Sequence, residues 1–163
     1  MVVRRCTVSG YGSALAIGSE IGGGAASIFA EGITNPATSS ALSLAFLLKS
    51  NTYRGSTISG VWLRNFSVAC NLDALLITMR YGQMDLNGPY SPRFENINIT
   101  GLTCRACRQA LLVQCTPAFP TVGLRLENSV FTSARKDWLT LQSVQGFAMS
   151  KVTVNGKVPA ILH

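Results

Sequence analysis

The sequence predicts an all-β protein, a parallel β-helix in which short strands stack coil upon coil. Two observations lead to this prediction: apolar residues alternate at period two, and the same pattern returns six times without helical spacing. The first positions of the six units lie 27, 33, 36, 27 and 23 residues apart. Because one coil cannot bury its own apolar face, each coil must lie on the next.

Each unit has eight positions. Positions one and three are apolar, position five is Asn, Gly or a basic residue, position six is small or apolar, and position eight is apolar or small. In chain order the units span residues 1–8, 28–35, 61–68, 97–104, 124–131 and 147–154. The fifth residue is predicted to be a kink between two short strands, often an Asn or Gly that tolerates left-handed backbone angles. The fifth residues are Arg5, Gly32, Asn65, Gly101, Asn128 and Lys151. Apolar positions such as Val61, Ile97 and Leu124 should point inward and align from coil to coil.

Between the units, a further buried strand is predicted over Ala41–Lys49. The segment Ile17–Gly24 is a glycine-rich bend that allows a close approach of backbone, and no phosphate-loop Gly-Lys-Ser/Thr follows it. Loops are predicted over Asn35–Ser40 and over Gln83–Pro92, the largest polar excursion. No linker divides the chain, so residues 1–163 are expected to form one domain.

Composition argues for a buried solenoid core rather than a membrane span. The chain is 47% hydrophobic and only 13% charged, but no run approaches the 18 uninterrupted apolar residues of a transmembrane helix. No apolar segment of a secretory signal follows the basic start at Met1–Arg5. Membrane partners are therefore not expected.

The net charge of +7 comes from 14 Lys and Arg against 7 Asp and Glu. A basic protein favours nucleic acid, an anionic membrane or an acidic polymer. No Lys/Arg-rich run of five to eight residues appears, which argues against nucleic acid. Scattered bases suit an acidic polysaccharide that lies across successive coils.

Cysteine and histidine give little support for a metal site. The five cysteines are Cys6, Cys70, Cys104, Cys107 and Cys115, and the single histidine is the last residue, His163. Zinc needs four ligands, and three clustered thiols with one distant histidine are weak support for such a site. No metal is therefore expected, and no other cofactor is expected either. The cysteines are interpreted as small buried hydrophobes, with a disulfide among Cys104, Cys107 and Cys115 as the alternative.

Short segments along the chain, both within and between the units, resemble one known family, the polygalacturonases of glycoside hydrolase family 28. The matching segments are residues 5–8, 10–12, 17–20, 48–50, 54–55, 61–65, 81 and 92–97. The resemblance covers most of residues 1–156. It implies a right-handed single-stranded parallel β-helix of about six coils and, for the family, inverting hydrolysis of the galacturonan of pectin. It also implies a secreted protein of extracellular or periplasmic location that acts on cell-wall carbohydrate.

The chain departs from the family where catalysis takes place. It begins just before the Gly-His-Gly motif and so lacks the coils with the family's aspartates, which makes a partial or truncated solenoid the expectation. Tyr11 stands at the histidine position and Leu47 at the arginine position of Arg-Ile-Lys, where only Lys49 remains. Inverting hydrolysis needs two carboxyl groups that flank the bond. A tyrosine with a pKa near 10 cannot replace histidine at neutral pH. No confident catalytic residue is therefore assigned.

The substrate-binding candidates are Lys49, Tyr81, Arg54 and Arg80. Lys49 would hold a galacturonate carboxylate, with Arg54 or Arg80 assisting, and Tyr81 falls where the family has a substrate-contacting tyrosine. The alternatives are a lysine solvated at a strand end and a tyrosine at the core edge. Tyr11 is interpreted as a turn residue.

Three further residues are interpreted as structural, namely Glu20 as a capping carboxylate, and Trp62 and Trp138 as coil packing or edge cover.

Two functional hypotheses follow. The first is a polygalacturonase-like protein that acts on or binds oligogalacturonide, inactive alone. The second is a non-catalytic β-helix that binds an acidic glycan or another protein. A third hypothesis is structural: a β-helix fragment that needs missing coils to stay soluble. In each case the open coil ends predict self-association.

Overall fold

The computed structural model describes residues 1–36, 40–83 and 87–163, and strands dominate it. The only helical element in these ranges is a 3₁₀ turn at Tyr81–Gln83. The strands are β1 Val2–Arg4, β2 Ser13–Ile17, β3 Ala25–Glu31, β4 Leu44–Lys49, β5 Thr57–Arg64, β6 Ser67–Ala69, β7 Leu75–Thr78, β8 Arg93–Thr100, β9 Thr103–Arg105, β10 Leu111–Gln114, β11 Thr121–Thr132, β12 Trp138–Gln142, β13 Val144–Gln145, β14 Ala148–Val154 and β15 Ala160–Leu162.

These strands form two sheets in which every pairing between the named strands is parallel. Sheet A has its main ladder in the order β1-β3-β5-β8-β11-β14, with the short strands β6, β9 and β13 attached to it. Sheet B has the order β2-β4-β7-β10-β12-β15. The chain thus passes repeatedly from one sheet to the other, and each return adds a strand beside the previous strand of that sheet.

The six sequence units all contribute to sheet A, in their sequence order. Val61 is the register partner of Ile28 on one side and of Ile97 on the other, and Ile97 pairs in turn with Leu124. Val61, Ile97 and Leu124 are fully buried. The predicted inward alignment of these apolar positions is confirmed, because period-two alternation places every second side chain on the core face.

The predicted kinks are also confirmed. All six fifth residues have left-handed backbone angles, with φ between 49° and 69°. Asn65 lies between β5 and β6 and Gly101 between β8 and β9, whereas Asn128 and Lys151 lie within the continuous strands β11 and β14. Arg5 and Gly32 directly follow β1 and β3, so the six left-handed residues form a row across sheet A. A second row of left-handed residues, which the sequence pattern did not reveal, lies earlier in the same strands. It comprises Ser27, Gly60, Asn96, Gly123 and Gly146.

Sheet B was largely missed from the sequence. Its one predicted strand, over Ala41–Lys49, is found as the shorter β4, Leu44–Lys49. Leu44, Ala45 and Phe46 are buried one after another, so β4 is recognisable as a continuous apolar run rather than by alternation. The other strands of sheet B have only three to five residues, too few for a clear pattern. Part of each predicted loop, residues 37–39 and 84–86, lies outside the described ranges.

Both sheets end openly on the side of the first strands. In the described part of the chain, β1 pairs only with β3 and β2 only with β4. A mostly apolar groove of about 330 Å³ lies at this end. Its lining includes Met1, Ala16, Ile17, Ile21 and Ile28.

The cysteines are free thiols, and four of the five are buried, as expected for small hydrophobic residues. The predicted alternative, a disulfide among Cys104, Cys107 and Cys115, is not found, and a different set of cysteines comes together. Cys104 contacts Cys107 and Cys70, whereas the Cys115 sulfur lies 3.2 Å from the hydroxyl oxygen of Thr121. Burial raises the pKa of the Cys115 thiol to about 11.

No helix within the described ranges has the length and hydropathy needed to cross a membrane.

Candidate functional site

Lys49 and Tyr81 meet at the ends of two neighbouring strands of sheet B. Lys49 is the last residue of β4 and the register partner of Thr78, the last residue of β7. Just beyond, the backbone N–H of Tyr81 donates a hydrogen bond to the carbonyl of Ser50 (3.2 Å). The side-chain amide of Asn51 donates to the carbonyl of Tyr81 (3.4 Å). These bonds fix Tyr81 beside β4, and the Lys49 ammonium nitrogen lies 4.2 Å from the centroid of the phenol ring.

The glycine-rich bend of residues 17–24 supplies a third side chain. Gly18 has a φ of 100°, and a Cβ at this position would overlap the carbonyl of Lys49. Only glycine allows the bend to approach β4 this closely. The next residue, Ser19, is consequently buried against the site, and its side chain forms a hydrogen bond with Tyr81.

Two charged residues complete the site. Arg54, in the turn after β4, forms an ion pair with Glu20, which follows Ser19 in the bend. The Arg54 side chain is 28% exposed and that of Glu20 is 71% exposed, so the pair lies at the surface. We call Ser19, Glu20, Lys49, Arg54 and Tyr81 the Lys49–Tyr81 site.

The electrostatics of the site make Tyr81 easier to deprotonate than an isolated tyrosine. The pKa of Tyr81 is lowered from its ordinary value, first by the hydrogen bond from Ser19 and then by the positive charge of Lys49. Arg54 adds a smaller effect in the same direction, and desolvation opposes it. A phenol in this setting exchanges its proton more readily than an ordinary surface tyrosine.

The predicted site residues separate into two groups. Lys49 and Tyr81 are adjacent, and Arg54 is close enough to act on Tyr81, although its charge is shared with Glu20. Arg80 is exposed, and its backbone N–H is bonded to the Thr78 hydroxyl (3.0 Å). Tyr11 is 88% exposed in the turn before β2, where it has the character of a turn residue.

The two tryptophans and Glu20 have partners that the sequence did not specify. Trp62 is 41% exposed on the outer face of sheet A, and its indole lies against Gly60. Trp138 is half-buried, with the Lys136 ammonium 5.5 Å from its ring centroid. Glu20 forms an ion pair with Arg54.

Most carboxylates in the described ranges are held by basic or amide groups. Asp73 receives two bonds from Arg108, Glu31 lies between Arg4 and Arg64, and Glu127 is bonded to Arg125. Asp137 accepts from Asn155. Of the remaining two acidic residues, Glu95 lines a surface pocket with Arg93, and Asp85 lies outside the described ranges. The Lys49–Tyr81 site therefore contains one described carboxylate, that of Glu20, where inverting hydrolysis needs two.

Metal binding has no support in the structure. Within residues 1–36, 40–83 and 87–163, no group of three or more His, Cys, Asp or Glu side chains is arranged to hold a metal ion.

The sequence missed Ser19 as a member of the site. A signal was present, because Gly18 precedes it in the bend where close backbone approach was predicted.

Comparison with the known protein families, with curated proteins and with solved structures found no match to this chain.

Proposed function

We propose that this protein is a right-handed single-stranded parallel β-helix of about six coils, related to the polygalacturonases of glycoside hydrolase family 28. In this proposal its Lys49–Tyr81 site binds oligogalacturonide or another uronate-containing polysaccharide without hydrolysing it. The parallel order of both sheets supports the architecture, as does the regular return of the chain to each of them. The proposed relationship rests on the short sequence motifs between residues 5 and 97 that resemble this family.

One observation carries the binding proposal: the ammonium nitrogen of Lys49 lies 4.2 Å from the ring centroid of Tyr81. A uronate is a sugar ring that bears a carboxylate, so it needs a cation and a flat apolar surface side by side. Lys49 supplies charge-assisted hydrogen bonds to the carboxylate, and the ring of Tyr81 supplies a surface for stacking. Both residues are partly exposed.

The surrounding charge agrees with an anionic ligand. Arg54 lies within the site and Arg80 is exposed one residue before Tyr81. The whole chain carries a net charge of +7. This excess of positive charge attracts an acidic polysaccharide along its whole length. Since pectin is a component of cell walls, the proposal also implies an extracellular or periplasmic location for the protein.

Binding without hydrolysis follows from the single carboxylate of the site. Glu20 is engaged by Arg54, and no second described carboxylate stands beside it. The loss of the family arginine at Leu47 removes a bidentate grip on the sugar carboxylate. We therefore expect weak affinity, with a Kd on the order of a millimolar, or about −4 kcal/mol.

Titration of trigalacturonate into the protein at low salt, followed by NMR or calorimetry, tests the proposal. Lys49→Ala should weaken binding at least about 5-fold, since one charge-assisted hydrogen bond contributes about 1 kcal/mol or more. Lys157→Ala is the control for loss of a lysine charge, because Lys157 is exposed and lies in the turn after β14. Added salt should weaken binding, because charges at the surface are screened within roughly 10 Å at 0.1 M. Absence of binding, or binding indifferent to Lys49 and to salt, would refute the proposal.

A further inference from the structure

Tyr81 is the side chain of the Lys49–Tyr81 site best placed to accept a proton. The only described carboxylate in the site, Glu20, is bound to the guanidinium of Arg54. The hydroxyl group of Tyr81 has the Ser19 side chain as its hydrogen-bond partner and the Lys49 ammonium beside its ring. Serine and lysine on one phenol form an acid–base arrangement, because both stabilise the phenolate that remains after a proton is lost.

The chemistry of a uronate provides a use for such a base. The C5–H bond of the sugar is adjacent to the carboxylate, and the glycosidic oxygen on C4 is one carbon further away. Removal of the C5 proton places negative charge on C5 and on the carboxylate, so a fixed cation at the carboxylate lowers the barrier. In the proposed function, Lys49 is the cation that lies at that carboxylate.

We propose that Tyr81 removes the C5 proton of a bound uronate and that the glycosidic bond at C4 of the same sugar then breaks by β-elimination. The C5–H electron pair forms the C4=C5 double bond, and the C4–O bond breaks with its pair on the leaving oxygen. The C5 proton passes to the Tyr81 oxygen and from there to solvent, while a water molecule protonates the leaving oxygen. No water is added to the sugar, and no oxidant or metal ion takes part.

This reaction rests on the proposed function, because it requires a uronate bound against Lys49. The products of this elimination differ from those of hydrolysis, the activity of the polygalacturonases that the sequence resembles. Hydrolysis gives a saturated sugar at the new non-reducing end, whereas elimination gives an unsaturated one. One carboxylate, or none, is sufficient for elimination, and hydrolysis by inversion needs two.

The charged groups around Tyr81 determine the expected pH dependence. They are Lys49 on β4, Arg54 in the next turn, Glu20 bound to that arginine and Arg80 next in the chain. With the phenolate as base, the rate at saturating sugar should rise as pH increases through the titration of Tyr81. Because the lowered pKa of Tyr81 comes first from Ser19, Ser19→Ala should move this rise to higher pH.

The experiment incubates the whole chain with trigalacturonate and with polygalacturonate from neutral to alkaline pH. Ultraviolet absorbance detects the conjugated double bond, and mass spectrometry separates the unsaturated product from the hydrolysis product, which is heavier by one water. A sample without protein gives the spontaneous elimination at each pH. We expect unsaturated product above that background from the native protein.

Tyr81→Phe keeps the ring and removes the hydroxyl group. The rate at saturating sugar should fall about 100-fold or more, as for loss of a general base. Tyr90→Phe is the control for loss of a tyrosine hydroxyl group, since Tyr90 is exposed on the loop before β8. The rate of this variant should stay at the native level. The Kd of each variant, measured in the same titration, separates a lost reaction from a lost affinity.

The outcomes separate the two proposals. Binding by the native protein without unsaturated product overturns the elimination and leaves the binding function standing. Equal rates for the native protein and Tyr81→Phe overturn the role of Tyr81. Absence of any binding overturns both proposals.

Discussion

Gly101 and Asn65 are consecutive members of the row of left-handed residues in sheet A, and their contact can be tested by substitution. Gly101 has a φ of 69°, and a Cβ there would lie 2.5 Å from the side-chain oxygen of Asn65. Gly101→Ala therefore has two costs. The left-handed backbone costs about 1 kcal/mol, and displacing the Asn65 side chain from its rotamer costs about 1 kcal/mol more. The free energy of unfolding should fall by about 2 kcal/mol, a decrease in Tm of roughly 4–8 °C for a chain of this size.

A control and a double mutant separate these two costs. Gly156 has a φ of 79° with no atom within 4 Å of an added Cβ, so Gly156→Ala should lose only the backbone part, about 1 kcal/mol. Asn65→Gly suits the left-handed angle at that position and removes the obstructing amide. In its background, Gly101→Ala should also cost only about 1 kcal/mol, which gives a coupling energy of about 1 kcal/mol.

Urea denaturation followed by circular dichroism measures all four variants, with unchanged m values as the sign that the denatured states are comparable. Equal losses for Gly101→Ala and Gly156→Ala, together with no coupling to Asn65, would refute the close approach of the two residues. A loss near zero for both alanine variants would refute the left-handed backbone angles themselves.

Three further predictions concern the cysteines, the open end and hydrolysis. Alkylation of the native protein at neutral pH should modify Cys6 first, because Cys6 is half-buried and the other four cysteines are buried. Burial also raises the pKa of Cys115 to about 11, which lowers the reactivity of its thiol. Peptide mapping that finds Cys115 modified as fast as Cys6 would contradict this prediction. The open edges of β1 and β2 and the apolar groove beside them should cause self-association, and sedimentation of a stable 17.4 kDa monomer at high concentration would count against it. On polygalacturonate, reducing ends should never exceed unsaturated ends above background, because only one carboxylate, that of Glu20, is found in the site among the described residues. A hydrolytic turnover on the order of 1–1000 per second would show this to be wrong and would direct attention to Glu20, Asp73 and Asp85.

Sheet A could be predicted from the sequence because two local signals coincide in it. Alternation reports which side chains face the core, and the residue at the bend reports a backbone angle that few residues tolerate. Both signals lie within eight residues of one another. The row through Asn65, Gly101 and Asn128 can therefore be recognised from short segments of sequence alone.

Sheet B and most of the site could not be predicted in this way. The strands of sheet B are only three to six residues long, so each is too short for alternation to identify it with certainty from sequence. Lys49 and Tyr81 were found through a resemblance, whereas their contact depends on the register between β4 and β7. Ser19 joins them through the close approach of Gly18 to β4, and Cys70 joins Cys104 across 34 residues of sequence. Such contacts are set by the offset between strands, which no short segment of sequence contains.

The parallel register has a consequence for how the chain folds. Val61 finds its partners Ile28 and Ile97 at separations of 33 and 36 residues, and the register partners in the rest of the main ladder lie 23 to 27 residues apart. No strand of this ladder can therefore pair with a segment that is close to it in the sequence. The entropy of closing such a loop is lost before any contact repays it. The first pair of adjacent strands is then the slow step, and each later strand adds to an existing edge. Refolding should accordingly be slow to start and should spread outward from whichever neighbouring pair forms first.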